Sequence, residues 1–390
     1  MKITSVECIP VTLPYKKPMK IGKHTVPASE SVVVKLYTDE GITGIGESGH
    51  GGIGYTGDNQ DSIMSVIRNN FAPAALVGED PFNIEKIVAR MEKAAKYSYQ
   101  AMAVVDYALH DVVGKALGVP VYKLLGGLTN EKIRLGFVIG FGSPEEVAAE
   151  AGKGWEAGYR SAKLKVGYST VEADIANIKA IREAVGYDMR IWVDVNCGWD
   201  YFEALNALKK MENYDIAIAE QPLPWWDIDG LANLRRQVRI PIGADESATE
   251  LNNLIQIAEK KAADVLFMKL EKVGGILRAQ KWASIAKAVD LPVMCGCMIG
   301  SGVGAAAQAH FLASNEWMGH MEHETVGPLH VHDVADTVST PITDDLALNV
   351  PRYEKGYLYP PEGPGLGVEL NEKLLPGLIT PGKSPVVIGR

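Results

Sequence analysis

The amino-acid sequence predicts an α/β protein built around a parallel (β/α) barrel, with a separate α+β unit at its N-terminus. Two observations carry this prediction. Short apolar runs alternate with helix-like stretches between residues 135 and 327, as in successive strand and helix units. Ahead of them, two β-rich runs are followed by a series of helical patterns, which indicates a further α+β unit.

The N-terminal unit begins with two strand-like runs, KITSVECIPVTL and SVVVKLYTDEGITGIGES. From about residue 60 to 126, apolar residues recur at three-and-four spacing, which predicts helices. A glycine-bearing junction, LLGGLTNEKI, precedes the change of pattern. We therefore predict domains over residues 1–126 and 127–335, and a proline-rich tail over 336–390 that returns to the first domain.

The barrel strands are predicted from eight apolar runs: LGFVIG, SAKLKVG, RIWVDVN, IAIAEQP, PIGADES, VLFMKL, LPVMCGCM and HMEHETVG. Eight parallel strands close a TIM-type barrel, and the last of these runs is the least regular. Two of the intervening helices carry a serine followed three residues later by a glutamate, Ser143 with Glu146 and Ser169 with Glu172. This pattern predicts that each serine caps the helix that follows it.

The composition argues against several classes of protein. A net charge of −9 over 390 residues lacks the basic surface of a nucleic-acid-binding protein. The longest apolar runs are shorter than the roughly 20 residues that span a bilayer, and the first residues alternate like a strand rather than a signal peptide. The four cysteines form no CxxC pair, so we expect reduced thiols. We expect a cytoplasmic protein without nucleic-acid or membrane partners.

Ionisable residues recur at the C-terminal ends of five successive predicted strands, at intervals of 29, 26, 25 and 24 residues: Lys165, Asp194, Glu220, Asp245 and Lys269. These intervals are close to the length of one strand, loop and helix, so each residue occupies the same place in its unit. In a parallel barrel that place is the rim where active sites of this architecture are found.

The three carboxylates of this set predict a metal site. Asp194, Glu220 and Asp245 would repel one another at one rim unless a cation lay between them. Oxygen-only ligands suit Mg²⁺ or the similar Mn²⁺. The alternative is that these residues are helix caps or salt-bridged loop residues. Glu246 follows directly and should face the other way, as the partner of a backbone group, although it could substitute as a ligand.

The lysines predict acid–base chemistry beside this metal. On a strand, Lys163 and Lys165 point to the same face, and Lys269 lies about half the barrel away. A neighbouring ammonium, a dication and partial burial all lower the pKa of a lysine, so that it can act as a base. Together with a metal that binds a substrate carboxylate, two opposed lysines could remove and return the proton on the adjacent carbon. An ordinary strand whose lysines face water is the simpler alternative for the KxK pair alone.

This combination resembles the enolase superfamily and, within it, the muconate lactonizing enzyme subgroup. The matching motifs are KxK on the second barrel strand, Asp, Glu and Asp on the third to fifth, and Lys on the sixth followed by KVGG. The resemblance implies a TIM-type (β/α) barrel with an N-terminal α+β capping domain completed by the C-terminal tail, and makes Lys165 and Lys269 the acid/base pair. The mandelate racemase subgroup has a histidine on the seventh strand, where this chain has VMCGCM, and no lysine at the position of Lys269.

Further site residues follow from the same resemblance. GIGESGHGGIGYTGD resembles a mobile capping loop that brings Tyr55 to the substrate, and KKPMKIGKHTV a second loop that carries His24 with Lys20 and Lys23. We also assign Asn196 to substrate binding. HETVGPL resembles the eighth-strand motif and makes Glu324 a catalytic candidate, together with Lys163. Dipeptide epimerases hold an ammonium group there with DxD, for which this chain offers Glu322, His323 and Glu324.

The leading functional prediction is a Mg²⁺- or Mn²⁺-dependent cycloisomerase acting on a muconate-like dicarboxylate. The alternatives within the subgroup are an epimerase or racemase of dipeptides, N-acyl amino acids or betaines, and a dehydratase. A Schiff-base aldolase and a non-catalytic barrel are alternatives from other classes. The tandem Trp225 and Trp226, which follows the run that contains Glu220, has no assigned role. We expect a small carboxylate substrate and a homo-oligomer.

Overall fold

The computed structural model describes residues 1–21, 24–325, 327 and 344–389. Its strands are β1 (Ile3–Ile21), β2 (His24–Thr38), β3 (Thr43–Glu47), β4 (Ile133–Arg134), β5 (Phe137–Ile139), β6 (Ser161–Lys165), β7 (Arg190–Asp194), β8 (Ile216–Glu220), β9 (Ile242–Ala244), β10 (Val265–Met268), β11 (Val293–Cys295), β12 (Ala347–Leu348), β13 (Arg352–Glu354), β14 (Tyr357–Tyr359), β15 (Glu369–Leu370) and β16 (Val386–Gly389).

The α-helices are α1 (Ile53–Thr56), α2 (Gln60–Val66), α3 (Ile84–Ala94), α4 (Tyr99–Leu117), α5 (Val121–Leu124), α6 (Pro144–Glu156), α7 (Val171–Val185), α8 (Tyr201–Met211), α9 (Ile228–Arg235), α10 (Leu251–Lys260), α11 (Leu270–Val273), α12 (Ile276–Ala288), α13 (Gly302–Ala313) and α14 (Leu375–Leu378). A π-helix continues α2 over Ile67–Leu76, and short 3₁₀ turns cover Glu212–Tyr214, Glu246–Ala248 and Glu316–Met318. Among the described residues, no helix is both long and apolar enough to cross a lipid bilayer.

The capping domain is an antiparallel sheet packed against helices. Its strand order is β16-β1-β2-β3, so the last strand of the chain pairs with the first, with Ser5 opposite Gly389. Apolar side chains of β1 and β2 that alternate along the strands form a second core with the helices from α2 to α4. The tail thereby completes the N-terminal sheet, as the predicted fold class requires.

The barrel is a parallel sheet in the order β11-β10-β9-β8-β7-β6-β5. The eighth predicted run forms a single bridge instead of a strand, in which His323 pairs with Leu135. The backbone N–H of Gly136 donates to the carbonyl of His323 at 2.9 Å, and the N–H of Glu324 donates to the carbonyl of Cys295 at 2.7 Å. This segment therefore bridges the first and last strands, and the predicted fold class, a (β/α) barrel with an N-terminal capping domain, is confirmed.

The helix caps follow the sequence in one case and differ in the other. Ser143 and Glu146 form the predicted reciprocal cap of α6. At α7 the cap is Thr170, whose hydroxyl accepts from the N–H of Ala173, so the assignment to Ser169 was wrong by one residue. A threonine hydroxyl caps nearly as well as a serine hydroxyl, and the residue directly before the first helical position fills the role.

Candidate active site

The two lysines of β6 reach the same carboxylate at the barrel rim. The Nζ of Lys165 donates to Oδ2 of Asp194 and to Oδ1 of Asn196, each at 2.6 Å. The Nζ of Lys163 lies 3.1 Å from the same Asp194 oxygen and 3.6 Å from Oε2 of Glu220, and it also forms an ion pair with Glu324. The strand register causes this convergence, because Lys165 is paired with Asp194 across β6 and β7.

The predicted metal ligands lie at the ends of three adjacent strands. Asp194 is opposite Glu220 across β7 and β8, and Glu220 is opposite Gly243 in β9, two residues before Asp245. The three side chains are fully buried. Gln221 holds the next turn in place, because its Oε1 accepts from the N–H of Asp245 at 2.9 Å. The backbone of Gln221 has a φ of +36°, a conformation that costs an L-residue free energy.

Lys269, directly after β10, reaches this group from the strand next to β9. Its Nζ donates to Oδ2 of Asp245 at 2.8 Å and to the hydroxyl of Tyr55 at 2.6 Å. The Tyr55 hydroxyl in turn donates to the same Asp245 oxygen at 2.8 Å. A side chain of the capping domain therefore touches both a predicted metal ligand and a predicted catalytic lysine, where the sequence had assigned it to substrate contact.

A fourth lysine, not predicted as a site residue, completes this side. The ammonium of Lys272 forms an ion pair with Asp245 and donates to the carbonyl of Phe267 at 2.9 Å. It is the first residue of KVGG, a motif used above for the resemblance, so the sequence contained a sign of it. Burial lowers the pKa of the Lys272 ammonium, although its contact with Asp245 favours the charged form.

Buried lysine ammonium groups and carboxylates contact one another in this site, and these contacts shift their pKa values. Burial disfavours the charged form of Lys163, but Glu220, Glu324 and Asp194 outweigh it and raise the pKa of the ammonium well above its usual value. Burial raises the pKa of the Glu220 carboxyl, and the nearby Asp194 adds to the shift. In Asp245, burial is outweighed by Lys269 and Lys272, which lower the pKa of the carboxyl.

Glu246 and Asn196 form a second layer next to Lys165. The amide Nδ2 of Asn196 donates to Oε1 of Glu246 at 3.0 Å, so Glu246 has a side-chain partner rather than the backbone partner that we expected. Burial, with help from Asp245 and Asp194, raises the pKa of the Glu246 carboxyl to about 7. Asn196 thus connects Lys165, a predicted base, to the Glu246 carboxyl group, and its backbone N–H donates to Oδ1 of Asp194 at 3.0 Å.

The two glutamates of the eighth run do not form one site. Glu324 contacts Lys163 at the rim, whereas Oε2 of Glu322 accepts from Nη1 of Arg190 at 2.6 Å. Arg190 is the first residue of β7, at the end opposite Asp194. His323 between them is structural, since its Nδ1 accepts from the N–H of Cys295 at 3.0 Å. The side chains of His24, Lys20 and Lys23 lie outside the described part of the chain.

A divalent cation fits this group of side chains in type and charge, though not in their present positions. Five carboxyl groups meet four lysines, and the buried Oε1 of Glu220 has no hydrogen-bond partner among the described residues. As they stand, no three Asp, Glu, His or Cys side chains in the described ranges are placed to hold one metal ion. Lysine ammonium groups hold Asp194 and Asp245, and these carboxylates would have to turn toward a shared ion.

Comparison with known proteins shows which family the chain belongs to. The N-terminal domain of mandelate racemase and muconate lactonizing enzyme matches residues 3–126, and the enolase C-terminal domain-like family matches residues 146–374. The chain belongs to the enolase superfamily, in its muconate lactonizing enzyme-like subgroup. The resemblance found in the sequence is therefore confirmed, and the protein is an enzyme of a family that contains racemases and cycloisomerases.

Individual members of the family differ in activity. The chain is 35% identical to the N-succinyl-L-Arg/Lys racemase of Bacillus cereus over 96% of this chain and 97% of the relative. It is 31% identical to muconate cycloisomerase 1 of Rhodococcus opacus over 95% of this chain and 96% of the relative.

Solved structures of other proteins are also similar to this chain over their full length. A mandelate racemase/muconate lactonizing family protein from Azoarcus sp. EbN1 is 49% identical, with a TM-score of 0.94 over the full length of both chains. A dipeptide epimerase from Cytophaga hutchinsonii, complexed with Mg and the dipeptide D-Ala-L-Val, is 27% identical, with a TM-score of 0.89 over the full length of both.

Proposed function

We propose that the protein is a Mg²⁺- or Mn²⁺-dependent racemase or epimerase of an amino acid derivative whose amino group is acylated. The observation that carries the proposal is the placement of Lys165 and Lys269 on opposite sides of the buried carboxylates, one against Asp194 and the other against Asp245. A planar enolate formed between them would present one face to each lysine. Inversion of a stereocentre needs such a pair, whereas cycloisomerisation needs one lysine only.

The chain's own residues then divide the work. For one enantiomer Lys165 takes the proton from the carbon next to the carboxylate, and Lys269 delivers a proton to the opposite face; the roles exchange for the other enantiomer. Asn196 orients the Lys165 ammonium by accepting its hydrogen bond. Tyr55 orients Lys269 in the same way and covers the site from the capping domain.

Asp194, Glu220 and Asp245 would hold the cation. When bound, it supplies positive charge where the substrate carboxylate gains electron density in the transition state. Lys163, which is held by three carboxylates and buried, adds a fixed positive charge on the same side as Lys165. Its many anionic neighbours suit it to this electrostatic role better than to proton transfer.

The acylated amino group is argued from Glu322. A substrate with a free ammonium group would need an unpaired carboxylate beyond the metal ligands, as the DxD pattern provides. Here Glu322 is bound to Arg190 at the other end of β7, and Glu324 is paired with Lys163. This absence of a spare carboxylate pair in the eighth run favours a neutral amide nitrogen. The activity named for the Bacillus cereus relative, on N-succinyl Arg and Lys, has the same chemical character.

Cycloisomerisation of a muconate-like dicarboxylate remains the second candidate. The full-length similarity to muconate cycloisomerase 1 of Rhodococcus opacus supports it. The same lack of a spare carboxylate for an ammonium group is compatible with a substrate that contains only carboxylates. In that reaction one lysine would protonate the enolate and the other would be dispensable.

The test is incorporation of deuterium from D₂O with Mg²⁺, followed by mass spectrometry, for both enantiomers of N-succinyl amino acids, for dipeptides, for betaines and for muconolactone. We expect exchange and inversion of an N-acyl amino acid. Exchange into muconolactone alone would reverse the order of the two candidates. Exchange only into free-amine dipeptides would contradict the argument from Glu322.

Two variants test the division of work between the lysines. Lys165→Ala and Lys269→Ala should each abolish inversion while each retains exchange with one enantiomer, the opposite one in the two variants. Lys281→Ala, which removes an exposed lysine paired with Glu85, is the matched control and should behave as wild type. Loss of exchange with both enantiomers in one variant only would indicate a single base. Borohydride inactivation of wild type with substrate would instead support the Schiff-base alternative.

A further inference from the structure

The largest side chain in the barrel interior beneath the carboxylates is the indole of Trp192. Trp192 lies two residues before Asp194 on β7, so both side chains point into the barrel. Its side chain is among the largest that are fully buried. It packs in a small apolar cluster that forms the floor of the site, made of Trp192, Ile218, Val265, Phe267 and Met294.

The space for this ring depends on Gly136, the residue directly before β5, which has no side chain. A Cβ on Gly136 would lie 2.0 Å from Cη2 of Trp192 and 2.7 Å from its Cζ3. No real Cβ contact is that short, so only glycine leaves room for the ring. On the opposite wall a Cβ on Gly243 would lie 2.5 Å from the ring of Phe267. Two glycines therefore admit two aromatic rings to the barrel interior.

The polar edge of the ring meets the central carboxylate. The indole Nε1–H of Trp192 donates to Oε2 of Glu220 at 3.3 Å, and the Nζ of Lys163 lies 3.6 Å from that same oxygen. The other oxygen, Oε1, is buried and has no hydrogen-bond partner among the described residues. The indole and the ammonium thus hold one oxygen of Glu220 and leave the second one available.

We infer that Trp192 is a positioning residue that sets the orientation of the Glu220 carboxylate for cation binding. The inference rests on the proposed function, because it assumes that Glu220 is a metal ligand. The ring, confined by Gly136, directs its N–H to Oε2, which leaves Oε1 as the oxygen that would ligate a cation. Groups that orient metal ligands in this way change metal affinity about 10- to 100-fold when they are removed.

The experiment measures binding of Mn²⁺ alone to the full chain, from the loss of the free-ion signal in electron paramagnetic resonance. Trp192→Phe keeps an aromatic ring and removes the N–H. We expect its Kd for Mn²⁺ to rise about tenfold. Trp317→Phe is the matched control, because it removes an indole N–H that donates to the carbonyl of Leu291, and it should stay within twofold of wild type.

The outcomes separate this inference from the proposed function. If wild type binds no Mn²⁺, the proposed function fails. If wild type binds Mn²⁺ and Trp192→Phe binds it within twofold as tightly, the inference is overturned and the proposed function stands. If Trp192→Phe does not fold, incorporation of 3-benzothienylalanine at position 192 keeps the ring shape without the N–H, and the same two results apply. A purely packing role would lower the melting temperature in these variants without changing the Mn²⁺ affinity.

Discussion

Replacing Glu47 with alanine should loosen the contact between the capping domain and the barrel. Glu47 is the last residue of β3, and its carboxylate is fully buried at the N-terminus of α13. It accepts hydrogen bonds from the backbone N–H of Ser301 at 2.9 Å, from the Ser301 hydroxyl at 2.6 Å and from the N–H of Gly304 at 3.1 Å. A carboxylate at this end of a helix also interacts favourably with the helix dipole.

The magnitude follows from the groups left behind. Alanine leaves the buried N–H groups of Ser301 and Gly304 without acceptors, which costs about 2–6 kcal/mol in total. The opposing effect is that alanine removes the cost of burying a charged carboxylate. That cost is visible in the pKa of the Glu47 carboxyl, which burial raises despite the hydrogen bonds from Ser301. We expect a net loss of about 3 kcal/mol in the free energy of unfolding, which for a chain of this size lowers the Tm by about 4 °C.

The assay is thermal unfolding of wild type, Glu47→Ala and a control at one pH and protein concentration. Glu372→Ala is the control, because its side chain is 64% exposed and its ion pair with Lys35 contributes about 1 kcal/mol or less. Glu47→Gln, which keeps the shape and one acceptor oxygen, should fall between wild type and Glu47→Ala. A Tm for Glu47→Ala within 2 °C of the Glu372→Ala value would refute the reasoning.

Three further results are expected. Burial raises the pKa of the Glu271 carboxyl from 4.5 to about 7, so the stability that its protonated form contributes is full below pH 4.5 and is lost as the pH rises through 7. In urea denaturation, the unfolding free energy of Glu271→Gln should therefore rise by about 3 kcal/mol relative to that of wild type between pH 5 and pH 8. A difference between the two proteins that does not depend on pH would contradict this. Lys272→Met removes one of the two lysine partners of Asp245, and because Lys269 remains it should cost less than the about 3–5 kcal/mol of a fully broken buried pair; a wild-type melting curve would show that this contact is dispensable. Saturating Mg²⁺ at 100 times its Kd should stabilise the chelator-treated protein by about 2.7 kcal/mol, and an unchanged Tm with and without EDTA would count against a metal site.

Much of the site could be predicted from the sequence because it repeats along the chain. The intervals between Lys165, Asp194, Glu220, Asp245 and Lys269 are set by the length of one strand and helix, and the structure brings all five to one rim. Strand pairing in a parallel sheet transmits that spacing directly into space. The domain boundaries and the catalytic roles of these residues stay predictions.

The resemblance to the DxD motif offered Glu322 and Glu324 as a pair for an ammonium group, as two residues on one face of a regular strand would be. That segment makes only one bridge, and the two side chains reach opposite ends of the barrel, to Arg190 and to Lys163. A segment that forms one bridge rather than a regular strand need not keep the alternation of side chains.

The sequence by itself therefore determined the order of the elements, the fold class and the set of charged residues at the rim, since these depend on local patterns and on regular repeats. Only the tertiary structure decided that Tyr55 reaches Asp245, that Glu47 caps a barrel helix and that Trp192 fits against Gly136. The first two contacts join residues about 190 and 250 positions apart. Such contacts depend on how two domains pack and on the shape of the space between side chains, and neither is encoded in the spacing of residues along one segment.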